Sequence, residues 1–161
     1  MLTKRRVISV LFIVLAIFLG QPDLMGAETS RSRLLRQKQA QFTQLSHRLQ
    51  ADQRRCATGV EFTKRFRAHY NARFQEILGK NNSPEDLAQL ALWGYRQPDW
   101  WGDGIYDVLF FNNVAMLGQT KGERAKRELQ RIKAVVKRDG RWDAHLSESI
   151  TEAEEMQKEL K

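Results

Sequence analysis

Cysteine is almost absent from this chain of 161 residues: Cys56 stands alone, so no internal disulfide can staple the fold. Only three prolines and three histidines occur. His47, His69 and His145 are too scattered for a recognisable metal-ligand set. No GxSxG, HExxH or glycine-rich phosphate loop is present, and no Cys–His pair has the spacing of a nucleophile and its base. Alternating apolar and polar runs are missing too, so no strand finds a second strand to pair with. These absences argue against a β-sheet, a disulfide scaffold and the common catalytic signatures. No cofactor, metal or catalytic set is expected.

What is present begins with an address. Lys4, Arg5 and Arg6 precede an apolar run from Val7 to Leu19, interrupted only by Ser9. Spanning a bilayer takes about 20 apolar residues, and this run is shorter. It reads as a secretory signal, with QPDLMGA supplying a breaker and small residues before a cut after Ala27. An uncleaved membrane anchor through residues 7–19 is the alternative. Either way the expected location is periplasmic or otherwise extracytoplasmic. Removing residues 1–27 leaves one domain-sized chain.

Charge is distributed unevenly. Glu28 to Lys80 holds 12 Lys/Arg against 4 Asp/Glu, whereas Asn81 to Lys161 holds 12 against 14. The basic excess therefore belongs to the 28–80 region. In an exported protein it suits an acidic protein partner, a cell-wall polymer or an anionic membrane surface.

Helical periodicity accounts for the rest. Ser30 to Cys56 carries Leu34, Leu35, Phe42, Leu45, Leu49 and Cys56 on a narrow stripe, with a break expected at Thr58-Gly59. A second helix puts Phe62, Phe66, Tyr70, Phe74, Ile77 and Leu78 on one face and ends at Gly79. Ser83, Pro84 and Asp86 start a third, with Leu87, Leu90, Ala91 and Trp93 or Tyr95 inward. From about Gly104 to Gly118 a fourth is apolar nearly all round and should be the most buried; Asn112 and Asn113 inside it need partners. Thr120 to Arg138 forms a basic helix and Asp143 to Lys161 an acidic one, which should pair antiparallel and answer one another's charge. That pairing argues against nucleic acid as a partner. The fold class expected is all-α, five to six helices, with the 28–80 and 81–161 regions packed as one domain.

The stretch QPDWWGDGIYDVLFFNN, residues 97–113, is the most unusual. Asp99, Asp103 and Asp107 lack the alternate spacing of a calcium loop, so Asp99 or Asp103 is expected to cap the fourth helix. Adjacent Trp100 and Trp101 cannot both point inward; one should pack on Trp93 or Phe110 and the other should face solvent. An exposed tryptophan near Tyr95 and Tyr106 could stack on a sugar or anchor a peptide. The candidate partner-binding residues are therefore Tyr95, Trp100, Trp101, Tyr106, Arg54, Arg55, Lys64 and Arg65.

Phe111 to Val135 resembles part of a tetratricopeptide-type helical hairpin. Phe111, Asn113, Val114 and Ala115 stand where that repeat has a large ring, Asn, an apolar and a small residue. Gly122 falls at its turn and Ala134 at a later small position, while Gly118, Arg127 and Arg131 depart from the pattern. The resemblance covers one repeat and implies stacked hairpins with a surface for a protein or peptide. The expected function is an exported helical scaffold, an accessory subunit of a cell-envelope assembly. The alternatives are a cell-wall-directed enzyme or carbohydrate binder centred on Trp100/Trp101 with Asp99/Asp103, and a protein of anionic membrane surfaces.

Overall fold

A computed structural model of the chain describes residues 29–98, 100–102 and 104–160. The signal or anchor segment, Asp99 and Asp103 lie outside the described residues. The protein is all-α, with six helices and no strand among the described residues: α1 (Ser30–Arg55), α2 (Gly59–Leu78), α3 (Pro84–Tyr95), α4 (Tyr106–Gly118), α5 (Glu123–Arg138) and α6 (Ala144–Glu159). None of these helices is long and apolar enough to cross a membrane. The chain divides into two units, Met1–Leu34 and Leu35–Lys161. Of the first unit only the opening turn of α1 is described, where Thr29 Oγ1 accepts from the Ser32 amide. The helix packing and the recesses belong to the second.

Local chemistry sets the helix ends. Thr58 accepts from the Glu61 amide to start α2, and Glu61 Oε2 accepts from the Ala57 amide in return. Ser83 and Asp86 form a reciprocal capping box on α3, with Pro84 in the first turn where no donor is needed. Gly79 closes α2 at φ +69°, a conformation an L side chain resists. Asp143 caps α6. At α4 the N-cap residue is Ile105, which brings no capping side chain. Instead Asp107, inside the first turn, accepts from the Gly102 and Val108 amides and covers donors the helix start leaves open. The expected cap by Asp99 or Asp103 falls on residues outside the described ones.

Two kinds of packing coexist. Helices α3 to α6 bring their backbones close: α3 against α4 and α5, α4 against α5 and α6, and α5 against α6. Small residues make this approach attainable. A Cβ at Gly94 would lie 3.0 Å from the Tyr106 carbonyl oxygen, and one at Gly118 would lie 2.8 Å from Ala153 Cα. The aromatic that a tetratricopeptide pattern has at Gly118 could not fit there. Gln157 on α6 donates to the Leu117 carbonyl at 2.8 Å, using an acceptor at the end of α4. Around these crossings Leu87, Leu90, Leu109, Phe110, Leu117, Leu129, Ile132, Leu146 and Ile150 are wholly buried.

By contrast, α1 and α2 dock through long side chains. Phe42 meets Phe74 with ring centroids 5.1 Å apart. Lys38 Nζ donates to the Leu78 carbonyl and Asn82 Oδ1, both at 2.6 Å, and so caps the C-terminal end of α2. Burial lowers the Lys38 pKa, against the pull of nearby Asp86.

Helix α4 is not sealed all round, as its apolar composition suggested. Val108 is 45% exposed, and Phe111, Asn112, Ala115 and Met116 are half-buried. Asn113 is buried and donates to the Leu109 carbonyl one turn back. The α5–α6 charge pairing is narrower than expected. Lys133 meets Glu154 across the pair at 2.8 Å, but Lys126 and Arg131 find Glu123 and Glu128 on their own helix.

Gly118→Val should destabilise the protein by about 2 kcal/mol, because overpacking a backbone contact forces α4 and α6 apart. Urea denaturation checks this; an unchanged midpoint would refute the close crossing. Burial raises the Glu154 pKa, but hydrogen bonds from Lys133 and Gln130 outweigh it and leave the value below 4.5. A depressed carboxylate stabilises the fold above its unfolded pKa and loses that contribution as pH falls through the folded value. Stability should therefore decline below pH 4.5, and Glu154→Gln should flatten part of that decline by about 1 kcal/mol or less.

Candidate functional site

Side-chain docking of α1 and α2 leaves recesses beside α1. One of them, about 490 Å³, lies between α1 and α2 and the start of α4. Leu49 and Gln53 contribute from α1, Phe62, Arg67, Tyr70, Asn71 and Phe74 from α2, and Ile105 and Val108 from the far side. Its walls are thus apolar and aromatic with a polar margin, the usual make-up of a binding recess. The Tyr70 hydroxyl donates to Asp52 Oδ2 at 2.7 Å and ties the two helices together at the groove. Burial and the Asp52 carboxylate push the Tyr70 phenol well above its ordinary value, so it remains a donor throughout the neutral range.

One cation, Arg67, lines this groove, and others stand elsewhere on α1 and α2. At about 100° per residue, Val60, Lys64, Arg67 and Asn71 share one side of α2. Lys64 and Arg67 are exposed and make no ion pair among the described residues. Arg65, on another side, is held by Glu61 at 3.0 Å and lies over the Phe66 ring. Arg54 and Arg55 occupy the last turn of α1; Arg55 approaches Asp52 at 3.5 Å. Two of the exposed large apolar residues, Val60 at 65% and Val108 at 45%, accompany these cations.

The aromatic candidates separate sharply. Tyr95, Trp100 and Tyr106 are only 1%, 7% and 7% exposed. Tyr95 and Trp100 pack on each other and on Phe110, and Tyr106 meets Trp93 edge-on. Their rings belong mainly to the core, although Trp100 and Tyr106 each keep an edge on a recess. Trp101 is 52% exposed, as one of the adjacent pair had to be. It stands in a second recess of about 360 Å³ with Trp100, Gly140, Arg141, Trp142 and Asp143.

Arg67, Val108, Arg141 and Trp142 were not singled out from the sequence. Val108 meets the α1 and α2 residues of its groove, and Arg141 and Trp142 meet Trp100 and Trp101, across separate elements that no local spacing links. Cys56 is a half-buried free thiol, and His47 and His69 are exposed on their helices. Among the described residues no group of three or more His, Cys, Asp or Glu could hold a metal ion.

No family model, curated protein or solved structure matches the chain. The site must be read from its own chemistry: a cation-edged apolar groove on an all-α protein.

Tyr70→Phe should cost about 1 kcal/mol, since it leaves a half-buried Asp52 oxygen without its donor. Thermal unfolding of the variant checks this, and equal stability would show that the bridge is idle.

Proposed function

We propose that this is an exported helical binding protein, an accessory or scaffold subunit of a cell-envelope assembly that acts through protein contacts. The observation carrying the reading is the α1–α2 groove, where apolar walls are exposed beside Lys64 and Arg67. An amphipathic helix of a partner, with apolar residues facing Phe62 and Val108 and acidic residues at its margin, complements that surface. Apolar contact supplies affinity, while opposite charge speeds encounter and fixes register. Leader-like residues 1–27 motivate export. The hairpin Phe111 to Val135 enters as a single degenerate repeat of tetratricopeptide type.

A photo-crosslinking residue at Val108, introduced into the full chain in its own cells, should give one dominant protein adduct in the extracytoplasmic fraction. Lys64→Glu with Arg67→Glu should reduce that adduct about tenfold, the loss of roughly 1.4 kcal/mol. Arg124→Glu on α5 should leave it intact. Adducts that ignore the charge reversal, or crosslinks to lipid alone, would reject the protein-contact reading.

A further inference from the structure

We propose that the recess between the α3–α4 and α5–α6 loops binds a sugar ring of an oligosaccharide carrying a carboxylate, stacked on Trp101. The two loops reach one another because α5 lies against α3 and α6 against α4. Trp100 forms the floor, Trp101 and Trp142 the walls, and Arg141 and Asp143 the polar margin.

Trp101 is fixed without being covered. Trp100 and Phe111 meet it edge-on, with centroids at 5.2 and 6.0 Å, and His145 lies against it at 5.7 Å. The indole is therefore held in place while half its surface remains in water. A braced, open ring loses little freedom on binding, which is the condition for a stacking platform. The C–H face of a pyranose supplies the apolar surface such a ring takes.

The margin supplies the hydroxyl partners. Arg141 lies over the Tyr95 ring at 5.4 Å and directs one N–H toward the Tyr95 carbonyl at 3.5 Å. Its remaining donors stay available. Asp143 uses Oδ1 to accept from the Leu146 amide, which leaves Oδ2 as an acceptor. Donors and an acceptor side by side suit hydroxyl groups, which both give and receive. Lys137 covers the Trp142 ring at 4.8 Å, and with Arg141 it makes the recess hostile to an organic cation. Asp143 opposes a densely charged phosphate polymer. A carboxylate matches the planar fork of Arg141.

The site is tested on the full chain by calorimetry and saturation-transfer NMR, with two probes. These are the N-acetylglucosamine–N-acetylmuramic acid disaccharide, which carries a carboxylate, and chitobiose, which does not. Both should bind, the acidic sugar more tightly. Trp101→Ala and Trp101→Leu should each weaken binding about tenfold or more, Trp101→Tyr should restore part of it, and thermal midpoints should stay close to wild type. Arg141→Gln should erase the preference for the acidic sugar while chitobiose binding persists. No binding of either sugar at millimolar concentration overturns the proposal, as does binding that survives Trp101→Leu. Trp101→Ala should leave the crosslink from Val108 unchanged, so the sugar site and the protein groove fail or succeed independently.

Discussion

Close backbone approach at two glycines governs this molecule. Gly94 lets α3 lie against the Tyr106 carbonyl at the start of α4, and Gly118 lets the end of α4 lie against Ala153 of α6. A side chain at either point would force the neighbouring backbone to shift by a few tenths of an ångström or more. The buried ring set of Tyr95, Trp100 and Phe110 depends on that spacing, because their centroids are 5.1 to 5.8 Å apart. So does the meeting of the α3–α4 and α5–α6 loops that creates the tryptophan-walled recess. Glycine within a helix costs about 1 kcal/mol relative to alanine; here the cost is offset by contact that no larger residue permits.

The α1–α2 hairpin follows a different rule. Its two helices are held to each other by the Phe42–Phe74 stack, the Lys38 cap and the Tyr70–Asp52 bond rather than by small residues at close crossings. Long side chains hold backbones apart and cannot fill every space between them. The recesses beside α1 are the geometric result, since the narrow stripe of Leu35, Phe42, Leu45 and Leu49 covers only one seam. Tight and loose packing thus divide the labour: α3 to α6 give rigidity, and the hairpin gives surface.

Much of the fold was legible because its signals are local. Ser83-Pro84 with Asp86, Thr58-Gly59 and Gly79 mark helix ends through bonds spanning a few residues, and they appear where the sequence put them. The opposed orientation of Trp100 and Trp101 was legible for a similar reason, as neighbouring side chains diverge on any backbone. Long-range matters were hidden. The bonds that Asp107 accepts at the start of α4, from the Gly102 and Val108 amides, were not anticipated. Tyr95 was open to either an inward or a partner-binding role and Tyr106 was a partner-binding candidate, yet both are core residues once α3 and α4 close upon each other. Val108 looked buried from its apolar neighbours, but α4 has a side that no helix of the Leu35–Lys161 unit seals.

Charge placement connects these observations. On α5, Lys133 reaches Glu154 and Lys126 and Arg131 use acids of their own helix, while Arg124 and Arg127 make no ion pair among the described residues. On α2, Lys64 and Arg67 likewise make none among the described residues. Surface ion pairs contribute little to stability, typically below about 1 kcal/mol, so unpaired cations are no burden to the fold. Their effect is on what approaches. Like charges along one side of α2 raise the local concentration of acidic partners, and Val60 and Val108 reward contact once it is made. An exposed apolar edge without those cations would bind non-specifically; cations without the apolar edge would bind weakly. Their coincidence on the loosely packed hairpin would give the proposed protein contact both selectivity and affinity.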